Sequence, residues 1–262
     1  LGPAARLRRD DSRGPAVTRV RCAKLPQPEE LVKPFSLLGG DLYRIAIYET
    51  DDGNYLFMDF HHIASDGTSE NILLSDISKI YSGTEVEKEC FSGFEVALEE
   101  EKERVSEHFA KAKDFYDSVF KGCETECLPP KAPESDKAEG GSIKYSCSVS
   151  PAEIQKFCME NRFTPNAFFN AAFGFALSRF TQSDDIVFTS VYNGRSDPRL
   201  ASSVTMLVKT LPVLVRTEKN RTVKELVGDT QEQLMDSMAN DIFSFAEVST
   251  AYGIRADVIL VY

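Results

Sequence analysis

The sequence predicts an α/β protein with mixed sheets and flanking helices. Three observations carry this. Short segments alternate apolar and polar positions, and longer ones repeat apolar residues every three or four. The two kinds then alternate along 262 residues, of which 42% are hydrophobic. A chain of that size and composition buries one large core or two smaller ones, which excludes disorder as its main state.

Residues 42–48 and 55–62 have the period of strands on either side of Asp51-Asp52-Gly53-Asn54, the pattern of a β-hairpin. On the second strand Leu56, Met58, Phe60 and His62 share one face, and Tyr55, Phe57, Asp59 and His61 the other. The two histidines therefore point opposite ways. Gly67-Thr68-Ser69 opens a helix with Leu73, Ile77, Ile80 and Tyr81 on one side, ending near Gly83. Two more helices fill residues 91–121, where Val105, Phe109, Ala112, Tyr116 and Val119 form a stripe against a solvated Glu and Lys face.

Residues 128–142 are rich in Pro, Gly and charge and read as a mobile loop. The chain divides there, into an N-terminal lobe over 1–130, a linker over 131–142 and a C-terminal lobe over 143–262. The second lobe starts with a strand at 143–148 and a helix whose capping box is Ser150 and Glu153 around Pro151. A helix from Thr164-Pro165 to Phe180 is apolar nearly all round, as expected inside a core. Strands at 186–192 and 204–215 flank the polar loop at 193–198. A last helix, capped by Thr222 and Glu225, buries Leu226, Val227, Leu234 and Met238.

The net charge of −11 argues against nucleic-acid binding. Basic residues concentrate in 1–24, from Arg6 to Lys24, but few aromatic residues stand nearby, so a solvated arm is expected. The six cysteines are scattered, and Cys123 and Cys127 lack the second pair or histidine that a zinc site needs, so neither disulfides nor a metal is expected. No apolar segment follows the basic start, and the charge-free stretch at 163–178 is shorter than the ~20 residues of a membrane span. A soluble cytoplasmic protein follows.

His62 stands at a strand end, and Asp66 and Gly67 stand at the mouth of the next helix, where N–H groups are unpaired and the dipole is positive. The plain reading of one histidine beside apolar residues is a satisfied core group. The sharper one is acyl transfer, with histidine handling the proton and N–H groups favouring a developing oxyanion.

The string His61-His62-Ile63-Ala64-Ser65-Asp66-Gly67 resembles the HHxxxDG signature of the condensation domains of nonribosomal peptide synthetases. Phe35-Ser36-Leu37 and Leu42-Tyr43-Arg44 upstream are similar to that family's blocks. So are 164–179, Asn193-Gly194-Arg195 and 204–212 downstream, and the resemblance covers residues 30–262. Thr205, Leu207 and Lys209 stand where the family commonly has Gly, Phe and Asn, and a tryptophan frequent after the motif is missing.

The resemblance implies a chloramphenicol-acetyltransferase-like fold, two α/β lobes in a V with the motif in a tunnel at their junction. It implies amide formation between a donor acyl or peptidyl thioester and an aminoacyl acceptor, each tethered to the phosphopantetheine arm of a carrier protein. No cofactor is bound directly, and the implied partners are carrier proteins and adjacent synthetase domains. By the same resemblance His62 is the catalytic histidine and His61 packs behind the strand. Asp66 is a structural carboxylate paired to an arginine, for which Arg195 is the candidate, and Gly67 keeps the channel open. The rival readings are an epimerization domain, a free-standing HxxxD acyltransferase and a non-catalytic carrier-docking module. The chain begins at Leu1 and stops in the apolar run 258–262, and the family's first motifs would lie upstream. A domain cut at both ends, with little activity of its own, is therefore expected.

Overall fold

The computed structural model describes residues 14, 16–123, 141–218, 221–255 and 257–262. They form two compact units, one from residues 1–98 with 195–207, the other from 99–194 with 208–262. Most of the linker expected at 131–142 lies outside the described residues.

In the first unit β1 (Val17–Arg21), β2 (Tyr43–Thr50) and β3 (Gly53–Phe60) form a sheet in that order. β1 runs parallel to β2, and β2 antiparallel to β3, with Tyr43 opposite Phe60 and Thr50 opposite Gly53. Of the expected solvated arm, residues 1–13 lie outside the described residues, and residues 17–21 are largely exposed as expected but form a strand. Val17, Thr18 and Val20 favour a strand, and Arg21 pairs with Glu49 of β2 at 2.7 Å, so part of the basic charge is compensated across the ladder. β3 ends at Phe60, so both histidines lie beyond the strand and its pleat does not set their directions.

A short helix, α1 (Pro28–Leu31), precedes β2, and α2 (Gly67–Tyr81) follows the motif as expected. Its apolar side is not covered by the described residues, since Ile80 is 63% and Tyr81 95% exposed. Among the described residues of this unit the buried apolar side chains are Ala46, Leu200 and Leu207, against buried polar Ser65, Asp66, Ser69 and Ser203. Hydrogen bonding therefore carries a large share of its cohesion.

α3 (Gly93–Glu103) contains the division between units, and the second unit continues with α4 (Glu107–Phe120), α5 (Pro151–Asn161), α6 (Pro165–Thr181), β4 (Asp185–Tyr192), β5 (Lys209–Arg216), α7 (Val223–Ala239), α8 (Phe245–Tyr252) and β6 (Ile259–Leu260). Its sheet runs β5-β4-β6, antiparallel then parallel, so both sheets are mixed. The pleat sends Ile186, Phe188, Val213 and Val215 towards Ala167, Ala171, Leu226, Val227 and Leu234 of α6 and α7. It sends Val187 and Leu214 the other way, onto Ala112, Tyr116 and Phe120 of α4 and Val248 of α8. That burial is why α4, assigned from sequence to the N-terminal lobe, groups with the second unit.

Three other expectations are corrected. Residues 143–148 form no strand: Ile143 is 97% and Tyr145 91% exposed, and without a neighbouring strand the pattern has nothing to pair with. The strand expected from 204 starts at Lys209, because the N–H groups of Thr205 and Leu207 are engaged by Ser69 and Asp66 instead. α6 is not enclosed all round, for Phe175 and Phe180 are exposed.

The capping boxes at Ser150/Glu153 and Thr222/Glu225 form as read from sequence. A third, Ser244/Glu247, starts α8, which the sequence reading missed although its spacing is the same. Gly174 sits where α6 crosses β5, and a Cβ there would lie 2.5 Å from Val215 Cγ2. Gly174→Ala is thus expected to destabilise by about 1–3 kcal/mol through overpacking. A fall in the urea midpoint checks this, and an unchanged midpoint contradicts it.

Candidate active site

The chain leaves β3 at Phe60 and turns through residues 62–64 into the N-terminus of α2. His61 N–H donates to Leu42 O at 2.9 Å, and His61 Nδ1 accepts from Ile63 N–H at 3.0 Å. The His61 ring meets Phe35 edge-on, with centroids 5.8 Å apart. This histidine is therefore occupied in shaping the turn. His62 is exposed and has a different environment: its Nδ1 lies 2.7 Å from Ser65 O. A carbonyl only accepts, so Nδ1 carries the proton and, in the neutral ring, Nε2 presents its lone pair outward. The arrangement supplies a base of fixed tautomer at an accessible position.

Asp66 is the N-cap of α2 and its side chain is wholly buried. Oδ1 accepts from Ser69 N–H and Ser69 Oγ–H, both at 2.8 Å, and Oδ2 from Leu207 N–H at 3.0 Å. Arg195 Nη2 lies 3.1 and 3.3 Å from the two oxygens, with 5% of its side chain exposed. Burial alone would raise the Asp66 carboxyl, but these donors together hold it below the usual carboxylate range. Arg195 also donates to Leu200 O and Ser203 O through Nη1, and to Ser69 Oγ and Thr205 O through Nη2. The carboxylate that the sequence places at a helix mouth is thus turned into the protein, where it fastens residues 195–207 to α2. With Asp66 capping Ser69, the first-turn N–H groups of Gly67 and Thr68 are left without an acceptor among the described residues.

The structure brings Asp66 and Arg195 into contact, joins His62 to them through the turn, and leaves Gly67 exposed at the first helical position. Sequence reasoning missed Ser69. Its hydroxyl lies 2.7 Å from Thr205 O, accepts from Thr205 N–H at 3.0 Å and touches both members of the ion pair. Its place three residues after an Asp N-cap was the available signal. Thr205, where the resemblance leads one to expect glycine, is accommodated because residue 93 is itself glycine: a Cβ there would collide with Thr205 Oγ1. In the second unit, Lys209 is held by Glu100 at 2.9 Å and Asp241 at 3.1 Å. Burial would lower its pKa, but the two carboxylates raise it on balance. No group of side chains among the described residues has the makings of a metal site.

A family model described as the condensation domain matches residues 18–257. Among curated proteins, gramicidin S synthase 2 of Brevibacillus brevis is 24% identical over 234 residues, 87% of this chain and 5% of its own length. Tyrocidine synthase 2 of Brevibacillus parabrevis is 25% identical over 236 residues, 86% of this chain and 6% of its own. The chain thus spans a small part of each. Among solved structures, the condensation domain from monacolin K polyketide synthase superposes with a TM-score of 0.71 at 16% identity, over 94% of this chain and 59% of that one. The epimerization domain from the third module of a tyrocidine synthetase gives 0.71 at 17%, over 94% and 63%. The fold is the chloramphenicol-acetyltransferase-like one of the condensation domains, as the resemblance implies.

Proposed function

Since the chain belongs to the condensation-domain family, we propose that it provides the amide-forming centre of a nonribosomal peptide synthetase. The acceptor's α-amine attacks the donor's thioester carbonyl, the C–N bond forms as the C–S bond breaks, and the donor's phosphopantetheine thiol leaves. Both substrates arrive on carrier proteins in the cytoplasm, with adjacent synthetase domains as neighbours, and no cofactor is bound by the domain itself. Among the described residues no helix is long and apolar enough to cross a membrane.

The observation that carries this reading is His62, whose Nδ1 proton is tied to Ser65 O so that Nε2 is free for the amine. An α-amine with a pKa of about 8 is partly neutral at cellular pH, so Nε2 serves either to take the ammonium proton or to hold the amine in line. Gly67 and Thr68 N–H groups are the available donors for the tetrahedral oxyanion. The second reading is epimerization of a tethered aminoacyl centre, favoured by the equal likeness to an epimerization domain.

Incubation of the chain in its native polypeptide with loaded donor and acceptor carriers separates the two. Amide product supports condensation; inversion of the tethered centre without amide supports the second reading, and carrier binding with neither product supports a docking module. Gly67→Ala adds a steric test. A Cβ there meets nothing within 4 Å, and alanine suits a helix better by about 1 kcal/mol, so stability should hold or rise. A fall in turnover places Gly67 beside the substrate, whereas full turnover removes it from the path.

A further inference from the structure

The geometry points to Arg44 as a positioning residue for the motif's histidine turn, a role that rests on His62 being the reacting group. Arg44 lies on β2 directly opposite Asp59 on β3, and its Nη1 is 2.6 Å from Asp59 Oδ2. The same guanidinium donates to Lys33 O at 2.7 Å and Pro34 O at 2.8 Å. Its carbon sits 3.8 Å from the centre of the Phe35 ring. One side chain therefore fixes three successive residues, 33, 34 and 35, while being anchored to the strand that leads into the motif.

Phe35 passes this on, because its ring meets the His61 ring edge-on. His61 in turn accepts from Ile63 N–H and donates to Leu42 O, which sets the backbone on either side of His62. The sequence of contacts runs from Asp59 through Arg44, Phe35 and His61 to the turn that aims His62. None of these side chains is among the hydrogen-bond partners of Asp66, so this support is separate from the ion pair behind α2. Only arginine meets all the demands at once: a planar cation that stacks on a ring, forks between two carbonyls and reaches a carboxylate. Lysine keeps the charge but loses the fork and the stacking.

The test reads the His62 tautomer directly. A free neutral imidazole prefers its proton on Nε2, so the Nδ1–H form bonded to Ser65 O reports the turn's geometry. The chain has three histidines, which makes a long-range ¹H–¹⁵N spectrum assignable. In Arg44→Lys and, separately, Phe35→Leu, the Nδ1–H population of His62 should fall by about half or more. Circular dichroism and the urea midpoint establish that each variant is folded. In the synthetase assay kcat should drop about ten- to a hundredfold with KM little changed, the cost of misplacing a reacting group.

The double variant should be no worse than the weaker single, since both changes interrupt one path. Retention of the Nδ1–H form in two folded variants overturns the proposal, as does a double variant equal to the product of the singles. The spectrum needs no turnover. A parent that makes no amide but shows the expected tautomer changes therefore sinks the functional reading and not the role of Arg44.

Discussion

His62→Ala is expected to abolish most amide formation, by about 10²- to 10⁴-fold, while leaving the chain folded. The side chain is exposed and makes a single hydrogen bond, to Ser65 O, so its removal creates no cavity and strands no buried donor. Substitutions of that kind change stability by about 0.5 kcal/mol or less. The loss should therefore appear in single-turnover rates with loaded carriers and not in the urea midpoint. Histidine to glutamine refines the result. An amide can hold the amine but cannot take its proton, so partial activity in His62→Gln identifies positioning, and activity as low as the alanine variant identifies proton transfer. Activity within tenfold of the parent in His62→Ala would remove this residue from the chemistry.

Asp66→Ala is expected to be the most damaging change to the fold of the first unit. It takes the Asp66 carboxylate away from the buried Arg195 guanidinium and deprives Ser69 N–H and Leu207 N–H of their acceptor. Breaking a buried pair from one side costs about 3–5 kcal/mol, against the few that a small unit has to spare. Circular dichroism and calorimetry should show early melting, and an unchanged melting temperature contradicts the prediction. The same carboxylate carries a pH signature. Its folded pKa lies below the unfolded value of about 3.9, so its contribution is fully present above roughly pH 4 and is lost as pH falls through the lower, folded value. Asp66→Asn should flatten that acid limb of the stability curve, in addition to lowering it.

The elements most legible in the sequence are those whose signals are local. The hairpin turn, α2 and the capping boxes of α5 and α7 are each specified within a few residues, and the structure has them within one or two positions. The placing of the candidate site was legible through the spacing His62, Asp66, Gly67, because a helix mouth four residues beyond a histidine is itself a local pattern. What failed was non-local. Residues 143–148 look like a strand but lack a neighbour, and residues 204–208 look like one but give the N–H groups of Thr205 and Leu207 to Ser69 and Asp66. β1 was hidden for the opposite reason, since its partner lies more than twenty residues away and its basic residues resembled a tail. Pairing across long separations is not written in periodicity.

Arg195 lies 129 residues after the carboxylate it neutralises. At about 5–20 residues per second, translation leaves Asp66 waiting roughly ten seconds for its cation. Over that interval α2 carries a capped but unpaired N-terminus, and the turn bearing His62 lacks the strap formed by residues 195–207. The candidate site is thus completed only after residues 195–207 have been made, well after the motif itself.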